Sequence, residues 1–447
     1  MTDRSSILDA NAFDASALER LDPESRVLAQ RRAAVLGSGY RLFYRTPVQV
    51  VRGEGCHLWD AEGRRYLDLY NNVPSVGHAH PAVTAAVTAQ MGQLNTHTRY
   101  LHEGVVSYAE RLLGTMPDAL ERLVFLCTGS EANDLAIRVA RAATGKRGLV
   151  ISSEAYHGNT ALVSGFSPAL GPGQVLDEAV QLVPPPDPAA VAATGQRDVG
   201  AWFSDHVRRA VMRLQDAGHG VAGLLVDTVF SSDGVFPGVR GSLDAAARTV
   251  RRNGGLVIAD EVQPGFARTG EAFWGFERLG LVPDLVTLGK PMGNGIPISA
   301  LAAGADVLDA FAGSQPYFNT FGGNPVSVAA ASAVLDVICG EGLQERARVV
   351  GEDLRGGLRD LGRHHPCLGT VRGVGQYTGI DVLDPATGLP DGGRALDLVE
   401  AARERGVLLS VAGPHGHVLK IRPPLVLEHA DVEHALHVLD DALRSLA

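Results

Sequence analysis

The sequence predicts an α/β fold built on a mostly parallel sheet with helices on both faces. Short apolar runs recur along the middle of the chain, among them Gly148–Ser152, Val221–Asp227, Gly255–Asp260 and Leu285–Leu288, and helix-period stretches such as Ser242 to Arg252 fall between several of them. Continuous apolar strands alternating with helices bury both sheet faces, which is the parallel arrangement. The third observation is where polar residues stand. Thr128, Asp260 and Lys290 each follow or end such a run. Open sheets of this kind bind ligands beyond the carboxyl ends of their strands, so three separate stretches converge on one crevice.

At 447 residues the chain is too long for one simple core. It divides into an N-terminal arm and meander over 1–75, a large α/β unit over 76–330 and a smaller α/β unit over 331–447, with the meander joining the last of these. An apolar content of 45% with 20% charged residues is ordinary for a soluble globular protein. The net charge of −10 argues against a dominant nucleic-acid role. No run of about eighteen apolar residues is present, so no membrane span is expected. Asp3, Arg4, Asp9 and Asp14 leave no apolar stretch for a signal peptide. Cys56, Cys127, Cys339 and Cys367 are scattered without metal-ligand or disulfide spacing, which fits a cytoplasmic protein with reduced thiols.

In chain order, residues up to about Gly39 are rich in Ala, Arg and Asp and predict a helical arm. From Val48 short alternating runs around the Glu62-Gly63 turn predict a small antiparallel meander. His78 and His80 follow; no third ligand has matching spacing, so they read as a loop at a ligand entrance. Helices are predicted from Ala82 to Leu94 and from Val105 to Leu113, then a buried strand at Val124–Cys127. Thr128 and Glu131 have capping-box spacing, and Ala132, Leu135, Ala136, Val139, Ala140 and Ala143 keep helical period. Gly129 and Ser130 thus stand at a strand-to-helix turn, where free N–H groups and the helix dipole favour an anion such as phosphate. The same text fits a plain βα turn. Pro168 to Asp198 is Pro-, Gly- and Ala-rich and predicts a loop excursion; a long Ala/Val-rich helix begins after Pro325, and a last helix near Asp431.

Two strand ends carry the chemistry. Lys290 stands between the run Val286-Thr-Leu and the loop Pro291-Met-Gly-Asn-Gly295. A lysine there is ordinarily a solvated charge, but it is also where a lysine holds a carbonyl cofactor as a Schiff base. Asp260 closes a second apolar strand, placed to pair with a pyridinium nitrogen, the partner that pyridoxal phosphate needs to act as an electron sink.

The stretches Thr128-Gly-Ser-Glu-Ala-Asn133, Tyr156-His-Gly158, Asp260-Glu-Val-Gln263, Gly289-Lys-Pro-Met-Gly-Asn-Gly295 and Thr320-Phe-Gly-Gly-Asn-Pro325, in this order, resemble the class III aminotransferases, pyridoxal 5'-phosphate enzymes of fold type I. The resemblance runs from about residue 45 to the end. Asn71-Asn-Val73, Leu94 to His102 and Tyr317 to Phe321 are similar to a branch that also holds phospho-lyases acting on O-phosphoethanolamine and phosphohydroxylysine. The resemblance implies that Lys290 binds the cofactor and moves the proton, while Asp260 keeps the ring nitrogen protonated. It implies that Tyr156 and Val262 pack on the two ring faces, that Gln263 approaches the 3′ oxygen, and that His157 belongs to the cofactor-binding set. The resemblance further implies that Gly129 and Ser130 hold the phosphate, helped by the partner subunit's Thr320, and so a homodimer with shared active sites, alone or paired into a tetramer.

Two departures bear on the reaction. Ile296 stands where relatives often have His, and Asp227 where many have a Glu that masks a carboxylate-binding arginine. Lys420-Ile-Arg422 precedes Pro423-Pro424; on a strand both cations face one side and form an anion clamp, or else they are solvated surface charges. The resemblance implies transamination from an amine or amino acid to a 2-oxo acid in a ping-pong cycle. The alternative is a lyase that eliminates phosphate from a 2-aminoalkyl phosphate. A non-catalytic cofactor-binding protein fits less well, since the lysine and the aspartate are both present.

Overall fold

A computed structural model describes Ser6, Asp9 and residues 11–446. Asp3 and Arg4 lie outside the described residues. The N-terminal arm is helical, with a 3-10 turn Ala15–Arg20 and an α-helix Pro23–Leu36. Asp22 caps the helix by accepting from the N–H groups of Glu24 and Ser25, and Pro23 opens it. The helix buries none of its residues. The meander follows as antiparallel strands β1 (Val50–Glu54), β2 (His57–Asp60) and β3 (Arg65–Asp68).

The main sheet takes β4 (Arg122–Leu126), β5 (Gly148–Ser152), β6 (Val180–Val183), β7 (Val221–Asp227), β8 (Leu256–Asp260), β9 (Leu285–Leu288) and β10 (Ser299–Ala303) in the order β4-β10-β9-β8-β7-β5-β6. The β9-β8-β7-β5-β6 run is parallel, and β10 is antiparallel to both its neighbours. Residue alternation splits the core across this sheet. Val257 and Ala259 face one apolar layer with the helix Pro325–Gly340, whereas Ile258 faces the other with the helix Gly129–Thr144. Both layers are covered, as a continuous apolar strand requires.

The stretch 168–198 departs from the predicted loop. It contains β6, which pairs in parallel with β5, and a short helix Pro188–Ala193. Val180-Gln-Leu-Val183 is too short and too closely framed by Pro and Gly for its local pattern to stand out; the neighbouring edge of β5 is what orders it. Downstream, β11 (Leu368–Val374), β12 (Tyr377–Val382), β14 (Ser410–Ala412) and β15 (Val418–Ile421) make a second sheet, while β13 (Val407–Leu408) lies parallel to β3 of the meander. The last helix spans His429–Ser445. The pairing of β13 with β3 brings the two ends of the sequence together beside the carboxyl ends of the main-sheet strands.

Candidate active site

Register places the central groups. Asp227 pairs with Asp260 across β7 and β8, and Asp260 pairs with Thr287 across β8 and β9, so these three share one level at the carboxyl end of the sheet. Lys290 follows three residues past Thr287, at the start of a 3-10 turn. The helix Gly129–Thr144 starts directly after β4 with a full capping box: Thr128 Oγ1 accepts from Glu131 N–H at 3.1 Å, and Glu131 Oε2 accepts from Thr128 N–H at 3.0 Å. The box leaves the N–H groups of Gly129 and Ser130 without an intrahelical acceptor. Gly158 brings the loop after β5 against this helix start. Its φ is +142°, and a Cβ there would lie 2.6 Å from Ser130 Oγ.

Asp260 is nearly buried and firmly held. Its Oδ1 accepts from Val262 N–H at 3.0 Å, and its Oδ2 accepts from Asn133 Nδ2 at 2.9 Å and meets His157 Nδ1 at 2.8 Å. Asn133 is fixed in turn by Thr287, whose hydroxyl donates to Asn133 Oδ1 at 2.8 Å. Oδ1 keeps acceptor capacity for a further donor, since a carboxylate oxygen has two lone pairs. Asn133 stood inside a quoted motif without an assigned role; nothing in linear spacing says that it reaches Asp260 across 127 positions.

Lys290 lines two cavities. One, of about 340 Å³, is lined by Gly129, Ser130, Tyr156, His157, Asp260, Val262, Gln263 and Lys290, together with Asp227 and Ile296. The other, of about 240 Å³, shares Tyr156, Gln263 and Lys290 and adds Lys420 and Arg422. Enclosure by protein lowers the Lys290 amine to about 8, and the charge of Arg422 adds to this against the pull of Asp260 and Asp227. Asp227 is pushed up by burial and then by Asp260, while it accepts from Val229 N–H at 2.9 Å and from the Ser231 hydroxyl.

Lys420 and Arg422 are both buried, so the reading as solvated surface charges does not hold. The strand β15 enters the core, and its neighbours Val418, Leu419 and Ile421 carry the cations in with them. Arg422 Nη1 donates to two neutral acceptors, Asn72 Oδ1 at 2.8 Å and Gln263 Oε1 at 2.9 Å, and its guanidinium lies 4.7 Å from the Tyr70 ring centre. Lys420 Nζ is 5.9 Å from the Tyr377 ring centre. Burial and then the Arg422 charge hold the Lys420 amine well below its ordinary value. Among the described residues no carboxylate forms an ion pair with either. Gln263 is engaged by protein at both ends: its Nε2 donates to Ser231 Oγ at 2.7 Å, and its Oε1 also accepts from the Tyr377 hydroxyl at 3.0 Å. Thr320 is exposed and lines neither cavity of its own chain. Asn11, Phe43, Tyr70, Ser232 and Ser410, which no sequence pattern marks, complete the smaller cavity.

A strongly similar architecture is found in an Arthrobacter phospholyase solved in complex with phosphoethanolamine, with a TM-score of 0.91, 43% identity and coverage of 94% of this chain and 100% of that one. A Bacillus anthracis aminotransferase superposes with a TM-score of 0.86 at 25% identity, covering 94% and 99%. In sequence, the Drosophila melanogaster alanine–glyoxylate aminotransferase 2-like protein is 38% identical over 90% of this chain and 83% of its own length. The Caenorhabditis elegans ethanolamine-phosphate phospho-lyase homolog 1 is 36% identical over 93% of each. The aminotransferase class-III profile matches residues 43–443, which takes in the capped helix, the Asp260 strand, the Lys290 turn and both buried cations. With its lysine and aspartate facing one cavity on a fold-type I sheet, the chain belongs to the class-III aminotransferase family of pyridoxal 5'-phosphate enzymes.

Proposed function

We propose that the protein uses pyridoxal phosphate to eliminate phosphate from an O-phosphorylated 2-aminoalkyl substrate such as O-phosphoethanolamine. The observation that carries this reading is the pair of buried cations, Lys420 and Arg422, which line one pocket with Lys290 and have no carboxylate partner among the described residues. Burial and the neighbouring Arg422 disfavour the charged form of Lys420, and an anion in this pocket is what would offset both. A phosphate ester brings nearly two negative charges at neutral pH, a carboxylate only one. Asp227 supports the same reading, because it hydrogen-bonds Ser231 and its own turn rather than pairing with Arg422 as a masking carboxylate would. The similarity to a phospholyase that binds phosphoethanolamine points the same way. Transamination, the first expectation from sequence, starts with the same proton removal and is the alternative outcome of the test below.

The residues present fit pyridoxal phosphate. The larger cavity offers an amine lowered to about 8, a fixed carboxylate, and a helix start packed so closely that a Cβ on Gly129 would lie 2.9 Å from both methyls of Val262. In our reading Gly129 and Ser130 would hold the phosphate by their N–H groups, Tyr156 and Val262 would flank the ring, and Asp260, steadied by Asn133 and His157, would serve its nitrogen. Bound there, the cofactor draws electrons away from the substrate carbon next to nitrogen. Lys290 would hold the cofactor through its amine and is the base placed to take the proton from that carbon. Lys420 and Arg422 hold the substrate phosphate and offset its charge as the C–O bond breaks and the electron pair leaves with it. Substrate and water together give an aldehyde, ammonium and inorganic phosphate.

Residues 76–330 then act as the cofactor-bearing unit, and 331–447 supply the substrate cations. A second copy of the chain completes the site in this reading. Tyr100, Leu101, Phe318 and Phe321 are exposed, and His97 stacks on Tyr100 and meets Phe318 edge-on, so the two segments form one apolar patch beside Thr320. Incubating the holoenzyme with O-phosphoethanolamine, with and without pyruvate or 2-oxoglutarate, tests the reaction. Stoichiometric phosphate and aldehyde without a keto acid support elimination; an amino acid formed only with keto acid, and no phosphate, overturns it in favour of transfer.

A further inference from the structure

The cations of the substrate pocket come from the C-terminal part of the chain, but a wall of the same pocket comes from the other end. Asn11 lines it, is only 7% exposed, and has a covered side-chain Nδ2 with no hydrogen-bond acceptor among the described residues. Native structures rarely leave such a donor unsatisfied. Asn11 is not a loose end. Its carbonyl accepts from Tyr44 N–H at 2.9 Å, Phe13 N–H donates to Leu42 carbonyl at 2.8 Å, and an isolated bridge pairs Ala12 with Phe43. Phe43 packs edge-on against Tyr70, with ring centres 5.0 Å apart, and Tyr70 lies beside the Arg422 guanidinium. The segment is thus strapped across the pocket through residues that themselves touch the anion clamp.

We infer that Asn11 is a specificity-determining residue that reads the phosphate of the substrate, its Nδ2 donating to a phosphate oxygen held between Lys420 and Arg422. The inference rests on the phosphate-ester reading above. Among the described residues nothing holds the amino end of the carboxamide, and Asn11 lines the cavity, so its Nδ2 is the unspent donor of this wall. A phosphate monoester presents three free oxygens and a carboxylate two, so phosphate has one oxygen more for Asn11 to meet beside Lys420 and Arg422, whose Nε is likewise buried without a partner among the described residues. Asn11 therefore separates a phosphorylated amine from a carboxylated one of similar length, a choice that two cations alone make poorly.

The test compares wild type, Asn11→Ala, Asn11→Asp and Arg422→Ala as holoenzymes, reading phosphate release from O-phosphoethanolamine and inhibition by inorganic phosphate and by acetate. Loss of one hydrogen bond to a charged group weakens phosphate binding about ten- to hundredfold in Asn11→Ala, seen as a raised KM and inhibition constant with a smaller change in kcat. Acetate inhibition changes less than about threefold in that variant, whereas Arg422→Ala weakens both anions. Asn11→Asp, nearly the same shape with a repelling charge, is weaker toward phosphate than Asn11→Ala, and its melting temperature reports that the fold is intact. Phosphate inhibition within about twofold of wild type in both Asn11 variants, alongside a clear loss in Arg422→Ala, overturns this inference alone. A wild-type enzyme that neither releases phosphate nor is inhibited by it overturns the elimination reading, and this inference with it.

Discussion

At the scale of single residues, the site works by placing charges where water would normally be needed. Lys290 is the clearest case. A lysine amine attacks a carbonyl only as the free base. With its amine at about 8, the neutral fraction rises tenfold per pH unit below that point and is flat above it. The rate at which apoenzyme takes up pyridoxal phosphate, followed by absorbance, is expected to climb to about pH 8 and then level; Lys290→Ala removes the covalent phase. A rate still climbing at pH 10 would show an ordinary, solvated lysine and overturn the burial argument. Arg422 makes a second prediction. Among the described residues its guanidinium donates to Asn72 and Gln263 and lies against the Tyr70 ring, so Arg422→Ala is expected to leave the pocket folded but without its forked donor. The expected loss is roughly 1.5–3 kcal/mol, or about one to two decades in kcat/KM for a phosphorylated amine, carried mostly by KM. An unchanged KM would mean that Lys420 alone holds the anion.

At the scale of elements, the larger cavity is bounded by three turns packed closely against one another. The capped helix start, the loop after β5 and the turn after β8 touch through Gly129, Gly158 and Val262. Gly129→Ala sets a methyl 2.9 Å from both Val262 methyls, an overpacking of roughly 1–3 kcal/mol that falls on the helix N–H groups. Cofactor affinity is expected to drop about tenfold or more, and Val262→Ala, by removing the obstructing methyls, recovers part of it in the double variant. Fluorescence titration of the four proteins of this cycle measures the coupling. Strictly additive losses would show that the two residues are not in contact in the holoenzyme. Glu261 plays a quieter part at this scale. It is fully buried, accepts from the N–H groups of Gly275 and Phe276 and from the Thr228 hydroxyl, and so ties the turn after β8 to the chain beyond it. Burial lifts its carboxyl to about 7 despite those donors.

At the scale of the whole molecule, the arrangement is a sheet that presents groups and two chain ends that close over them. Tyr100, Leu101, Phe318 and Phe321 are exposed, and His97 joins Tyr100 to Phe318. If a second copy covers them, Phe321→Asp is expected to shift the protein to monomer by light scattering and to weaken cofactor retention, since the partner subunit's Thr320 is lost with the interface. A monodisperse dimer that keeps its cofactor after this substitution would place the interface elsewhere.

Much of this was legible in the sequence because it is local. Apolar strands, their alternation with helices, the Thr128–Glu131 cap and the lysine and aspartate at strand ends are all set by neighbours within a few positions, and periodicity alone forces their layers. The arrangement of Lys420 and Arg422 on either side of Ile421 was likewise visible, although whether they met solvent or a cavity was not. Burial depends on what packs against a strand, and here that is chain from the opposite end of the sequence. The same reason hid β6, too short to declare itself without β5 beside it, and hid the reach of Asn133 to Asp260. It hid Asn11 most completely. A lone asparagine near the start of a chain carries no pattern, and only the pairing of its segment with residues 42–44, over a sheet assembled from far-separated strands, brings it to the wall of the smaller cavity beside Lys420 and Arg422.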